Sequence, residues 1–319
     1  MAEWLYETGI GENRAILVED GRILAAEIEL PDTGPRVGAI LAARLIDRGT
    51  GRLAIDDGEA ILDRAPQGIS EGARLNVEII REAWPEPGRP KPPRAIPAVE
   101  DAAPREGPDL LARIAAGDVP VRRPLPHQPD AFEAAGWSEL LDEAMRGEIA
   151  FPEGRLRLSI TPAMALFDVD GDPPLPALAI AAAEAVAHAI VRHGITGSIG
   201  VDFPTLGGRP ERQAVGAALD AALPSPFERT AMNGFGFVQI IRPRARPSLP
   251  EQLRRDPAGA SARAVLRAAE RLSPPGPHHH LVSEAAARLL TRNEGHRLEL
   301  ERNTGLRHSF ESKRHADPA

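Results

Sequence analysis

The stretch that decides the fold reads Ser159-Ile-Thr-Pro-Ala-Met-Ala-Leu-Phe-Asp-Val-Asp-Gly-Asp-Pro173. An apolar run ends in three carboxylates, Asp168, Asp170 and Asp172, just before a group of prolines. Residues 177–193 then read as a long helix, entered through Pro173, Pro174 and Pro176 and ended by Gly194. Ser198-Ile-Gly-Val-Asp-Phe-Pro204 is a second apolar strand, and it ends in Asp202. Two strands joined through a helix usually run parallel and often adjacent. Their C-terminal ends then share one edge, where ligands bind in open α/β sheets. The spacing therefore predicts that Asp168 and Asp202 point into one crevice. Carboxylates a few ångströms apart repel unless a proton or a cation sits between them. An all-oxygen site that retains water suits Mg²⁺, which acidifies water and polarises phosphoryl oxygens.

Two other readings of the same residues stand beside this one. Asp-Gly and Asp-Pro are ordinary turn pairs, which accounts for Asp170 and Asp172 without chemistry. The spacing Asp168-x-Asp170-x-Asp172 also matches the start of a calcium loop. That loop needs Gly at its sixth position and Glu at its twelfth, and Pro173 and Ala179 stand there.

Outward from this centre, strands are expected at 155–161, 163–168 and 235–242, and helices at 137–145 and 210–223. Their alternation predicts an α/β layer. Residues 249–272 read as helical with a break at Pro257. Residues 280–290 read as strand then helix, or as helix alone, and 297–301 with 306–310 as a last hairpin about Asn303-Thr304-Gly305. Toward the N-terminus, Asp20-Gly21 centres a hairpin over 14–30. Short strands at 37–46, 52–56, 60–62 and 74–81, with a second turn at Asp57-Gly58, predict a small antiparallel barrel. Prolines crowd residues 85–108, and proline lacks the N–H that a ladder needs, so this segment reads as an extended linker. A short helix at 110–116 and an irregular stretch at 121–129 follow it.

Composition narrows the function. The chain of 319 residues is 42% hydrophobic, enough for a core, and has no cysteine. Disulfide scaffolds, thiol catalysis and cysteine-type zinc sites are excluded. Lys and Arg number 38 against 46 Asp and Glu, a net charge of −8, so any nucleic-acid contact must be local. No targeting or membrane-spanning run is read from the sequence, and a cytoplasmic location without membrane contact is the expectation.

Four blocks in order carry a family resemblance. Thr161-Pro-Ala-Met-Ala-Leu-Phe-Asp-Val-Asp-Gly171 is similar to the "TEAM…IDVN(S/T)G" signature of the ribonuclease E/G family. The helix at 179–191 resembles its "NLEAA.EIARQLRLR", and the stretch from Gly194 to Pro204 its "LGGIIVIDFIDM". The run from Phe235 to Leu249 resembles its "LGLVE.TRKR…SL". The resemblance implies an α+β protein. It would comprise an N-terminal OB-like RNA-binding barrel with paired strands (1–84), a Pro-rich linker (85–130), a DNase I-like catalytic domain (131–250) and a small C-terminal α/β domain (251–319).

It further implies Mg²⁺-dependent endonucleolytic hydrolysis of single-stranded RNA, with Asp168 and Asp202 as metal ligands. Asp170 stands at the position of the family's asparagine and joins them as a catalytic residue. A catalytically weak or inactive RNA-binding protein of the same fold is the alternative. It is motivated by Pro162 and Gln239, which stand where the family has glutamates, and by Ala54 and Asp57, which replace barrel aromatics that stack on bases. Without cysteine there is no zinc-linked dimer, so any self-association must use another route. The 85–147 segment is too short for the family's complete 5′-phosphate sensor.

Among the remaining features, Arg242, Arg244 and Arg246 form a local basic stripe, with Arg254 and Arg255 nearby. Such a stripe is the candidate RNA contact, and Arg155 and Arg157 extend it from another strand. Glu184, His188 and His193 read as an exposed helix side, and His278-His279-His280 as the edge of a strand or loop.

Overall fold

Alternating apolar residues fold the first thirty positions into a meander. In the computed structural model, which describes residues 1–56, 58–64, 68–84, 90–125, 128–271 and 279–312, β1 (Glu3–Gly9), β2 (Glu12–Glu19) and β3 (Arg22–Glu29) pair antiparallel in chain order. The expected Asp20-Gly21 turn closes the second hairpin, with φ of +49° and +75°. Positive φ at both central residues gives the turn a twist that matches the strands. The N-terminal module thus divides in two, because the meander stands apart from the barrel that follows.

That barrel comprises β4 (Ile40–Asp47), β5 (Arg52–Ile55), β6 (Gly58–Leu62), β7 (Arg74–Arg81) and β8 (Arg94–Pro97), closed in the order β4-β5-β6-β8-β7. Leu45, Leu53, Ala60, Val77, Ile79 and Ala95 fill it. Gly58 opens β6, whereas Asp57 lies outside the described residues. The linker expectation needs correction here. β8 lies inside the proline-rich segment, yet it pairs parallel with β6 and antiparallel with β7. Pro97 ends the strand opposite Val77, where a missing N–H costs least. Then α1 (Leu110–Ala115), capped by Asp109, buries Leu110 and Ile114 against Tyr6 and Ala15. β9 (Val121–Arg122) adds to β1 in parallel. Residues 90–125 therefore join the barrel to the meander rather than hang between domains.

Next come α2 (Ala131–Ala134) and α3 (Trp137–Arg146). Their Phe132, Trp137 and Leu140 cover the meander's Leu5, Ile16 and Ile28, not the catalytic layer assigned to them from sequence. The segment in which that layer was expected forms a six-stranded sheet. Its strands are β10 (Glu148–Phe151), β11 (Gly154–Ile160), β12 (Ala165–Gly171), β13 (Gly197–Asp202), β14 (Glu228–Arg229) and β15 (Phe237–Arg242), in the order β10-β11-β12-β13-β15-β14. Helix α4 (Leu175–Arg192) connects β12 to its parallel neighbour β13, and α5 (Arg209–Ala222) follows β13. By length and composition α4 could cross a membrane; here its Leu178, Ala182, Val186 and Ile190 pack on Phe167, Ile199 and Val201 of the sheet.

The last elements of the described residues are α6 (Leu249–Arg255), α7 (Pro257–Glu270), β16 (His279–Val282), α8 (Glu284–Arg292), α9 (Glu294–Thr304) and β17 (Ser309–Ser312). Pro257 starts α7, as a first-turn proline should. The last hairpin expected from sequence is instead a helix and a strand. Gly305, at φ +72°, caps α9 rather than turning a hairpin, and β17 pairs in parallel with β16. Buried charge ties this end to the meander. Glu12 meets Arg263 at 2.9 Å and also pairs with Arg267, and Arg271 reaches Glu7 and Asp130 at 2.6 and 2.8 Å.

Candidate functional site

Among the described residues, helices cover one face of the six-stranded sheet. Residues alternate along each strand, so Leu156, Phe167, Val169, Ile199, Val201, Val238 and Ile240 face the helices and are buried. The other set faces outward. Strand pairing aligns Glu148 with Arg157, Arg157 with Asp168, Asp168 with Asp202, and Asp202 with Phe237. One row of side chains thus crosses four strand boundaries on the open face. Neighbouring strands are about 4.8 Å apart, so Asp168 and Asp202 stand side by side. The parallel crossover expected from sequence is present, and it brings Asp202, the last residue of β13, to the register position of Asp168. Asp168 does not end its strand as expected, because β12 runs on to Gly171, so the pair lies on the sheet face rather than in a crevice beyond the strand ends.

Neither Asp168 nor Asp202 forms a hydrogen bond or an ion pair among the described residues. Asp170, on the same face, differs. Arg155 Nε lies 3.3 Å from its Oδ2 and Arg157 3.7 Å, so two guanidiniums answer the third carboxylate. Asp172 lies beyond the strand and is exposed. No cluster of three or more carboxylate or imidazole donors occurs among the described residues. The donor set is therefore two unpartnered carboxylates. That fits Mg²⁺, which is typically held by one or two carboxylates and keeps several waters.

The basic stripe lies elsewhere. Arg242 has the parity of Val238 and Ile240 and belongs to the helix side. It lines a cavity of about 610 Å³ together with Glu29, Arg113, His193, Arg246 and Arg255. None of the residues lining that cavity is on the carboxylate face. Arg244 stacks over the Trp84 ring at 3.7 Å and pairs with Glu251 at 3.2 Å. Arg246 pairs with Glu82 at 3.2 Å. Burial disfavours the charge of both Arg242 and Arg246 and raises the Glu82 carboxyl above its ordinary range. These contacts lock the barrel to the sheet, and Arg254 caps α3 through the Ala144 carbonyl at 3.0 Å. The arginines that accompany the carboxylates are Arg155 and Arg157.

The histidines follow two patterns. Glu184 and His188 are exposed on α4, as expected. His193 is not. It is fully buried at the helix end, 2.6 Å from Glu143 of α3, and burial holds its pKa below the usual imidazole value against the pull of Glu143. His279 and His280 open β16, and His280 stacks on His308 and Phe310. His278 lies outside the described residues.

Three further features lie on or beside this part of the sheet, and among them Gln239 alone is singled out from sequence. Gln239 donates to Ser198 Oγ at 3.1 Å across the strands. Gly200 leaves room for the Phe237 ring, which would be 2.7 Å from any Cβ there. Phe235, in the loop before β15, is 84% exposed. Its flanking glycines in Asn233-Gly-Phe-Gly236 were the available signal for an aromatic held out on a turn. In comparisons with known proteins, no protein-family model and no curated protein matches this chain.

Proposed function

We propose that the protein is a Mg²⁺-dependent endoribonuclease that hydrolyses phosphodiester bonds of single-stranded RNA, working in the cytoplasm in RNA processing or decay. The observation that carries this reading is the pair of unpartnered aspartates, Asp168 and Asp202, adjacent in register on an open sheet face. The resemblance of the surrounding sequence blocks to the ribonuclease E/G family supports it. So does the barrel, whose first three strands are followed in space by the fifth and then the fourth, an order consistent with an OB-like module. A six-stranded sheet with helices on one side is compatible with a DNase I-like catalytic layer.

Asp168 and Asp202 would hold the ion. When bound, Mg²⁺ supplies an acidified water and neutralises charge on a phosphoryl group. Arg155 and Arg157 are 62% and 56% exposed. Ion pairs this exposed hold weakly, so both guanidiniums can exchange Asp170 for an RNA phosphate, which they match bidentately. Without a cation the face sets Glu148, Asp168, Asp170 and Asp202 against two arginines, and RNA affinity should then be low. Arg244 and Arg246 hold the barrel on the sheet, while Arg242 faces the cavity.

Purified protein should cut unstructured RNA in Mg²⁺ and not in EDTA, and Asp168→Asn should lose at least about a hundredfold in rate with an unchanged circular dichroism spectrum. Equal cutting by that variant contradicts the reading. A second reading, an RNA-binding protein with weak or no catalysis, is favoured by the capture of Asp170 by arginines and by the lack of a third donor among the described residues. It predicts salt-sensitive RNA binding without Mg²⁺-dependent cutting.

A further inference from the structure

The geometry points to a nucleobase-binding subsite at Phe235, two residues before the register partner of Asp202, where an unpaired base of the RNA stacks on the exposed ring. This inference rests on the nuclease reading and adds the contact that selects single strands.

Three observations carry it. The first is exposure. Phe235 shows 84% of its surface, although burying an aromatic side chain is among the larger hydrophobic gains available to a fold. The second is rigidity. Asn233 Oδ1 accepts the N–H groups of Phe235 at 2.9 Å and Phe237 at 3.0 Å. Thr205 donates to the Phe235 carbonyl at 3.3 Å. Gly236, at φ +98°, sits so close to the Phe203 carbonyl that a side chain there would collide. The ring is thus presented by a backbone that needs no further ordering, which lowers the entropic cost of stacking.

The third observation is position. Asp202 pairs with Phe237, and Phe235 lies two residues upstream, so its Cα is within about 13 Å of that of Asp202. A nucleotide next to the cut bond can reach it. The barrel, in contrast, has Ala54 where its resembled platform would be aromatic. Any base has a π-face, so stacking here selects unpaired strands without selecting sequence.

The test uses the full chain and a short unstructured RNA in Mg²⁺. Phe235→Ala and Phe235→Leu should each raise KM roughly 5- to 100-fold while kcat stays within about twofold, and Phe235→Tyr should restore KM. The Phe235→Trp variant should show fluorescence quenching on rapid mixing with RNA, read before turnover, above the background of Trp4, Trp84 and Trp137. An RNA with an abasic nucleotide next to the cleaved bond should make wild type and Phe235→Ala equal. Wild-type KM in Phe235→Leu overturns the subsite. So does a Phe235→Trp variant that cuts RNA with its introduced indole unquenched. A wild type that neither binds nor cuts RNA overturns the nuclease reading and the subsite with it.

Discussion

Charge is used in opposite ways at two places in this molecule. Between the meander and α7, Glu12 is nearly inaccessible and is answered by Arg263 and Arg267. On the open sheet face, Asp168 and Asp202 stand side by side, and neither forms an ion pair among the described residues, although Arg157 is the cross-strand register partner of Asp168. The first arrangement pairs its buried carboxylate with two guanidiniums. The second accepts like-charge repulsion beside two arginines that already have a carboxylate, Asp170. A divalent ion bound between them would relieve that repulsion.

The largest expected effect separates the two regions by their role in stability. Glu12→Gln leaves the buried Arg267 without its anion, while Arg263 keeps Asp256 at 3.5 Å, and breaking a buried pair typically costs about 3–5 kcal/mol. Urea denaturation should show that loss, while the rate per folded molecule on RNA stays unchanged. A loss below about 1 kcal/mol would mean that water screens the cluster as it does a surface pair.

On the open face the sign should reverse. Asp202→Asn removes one of two adjacent like charges, and cross-strand pairs of this kind count for about 0.2–1 kcal/mol. The variant should be slightly more stable than wild type without metal, and Mg²⁺ should raise the melting temperature of wild type only. Removing Arg155 and Arg157 together should flatten the salt dependence of RNA binding, by about 0.7 in log–log slope for each lost phosphate contact. An unchanged slope would take both residues off the RNA path.

The smallest effect concerns His193. Its pKa is depressed in the fold, so below the unfolded-state value of about 6.5 the unfolded chain binds more protons than the native one. Its contribution is therefore complete above that pH and lost as pH falls toward the depressed value. The stability of His193→Gln should change less than that of wild type between about pH 7 and pH 5. Parallel curves would contradict the burial effect.

The parts that sequence exposed share a local cause. Asp20-Gly21 and Gly194 lie where backbone sterics leave few options, and Asp168 and Asp202 each end an apolar run whose crossover forces parallel neighbours. What it concealed depended on partners distant in the chain. Prolines in 85–108 suppress a strand only where an N–H must pair, and β8 ends at Pro97 after its ladder is made. Gly305 fits a hairpin turn or a helix cap equally well, and the choice is set by Leu300 packing against α7 and α8. Arg242 was legible in principle, since alternation with Val238 and Ile240 puts it on the helix side. Arg244 and Arg246 were not, because Trp84, Glu82 and Glu251 claim them only in three dimensions. Phe235 falls in the strand expected at 235–242, which begins only at Phe237, although Gly234 and Gly236 on either side of it signal a turn.

The proposed function requires that Asp168 and Asp202 together hold one divalent ion. Electron paramagnetic resonance titration of Mn²⁺, competed by Mg²⁺, tests it most directly. One Mn²⁺ site is expected in the wild-type chain, displaced by Mg²⁺ and lost in both Asp168→Asn and Asp202→Asn. Retention of that site in either folded variant would contradict it.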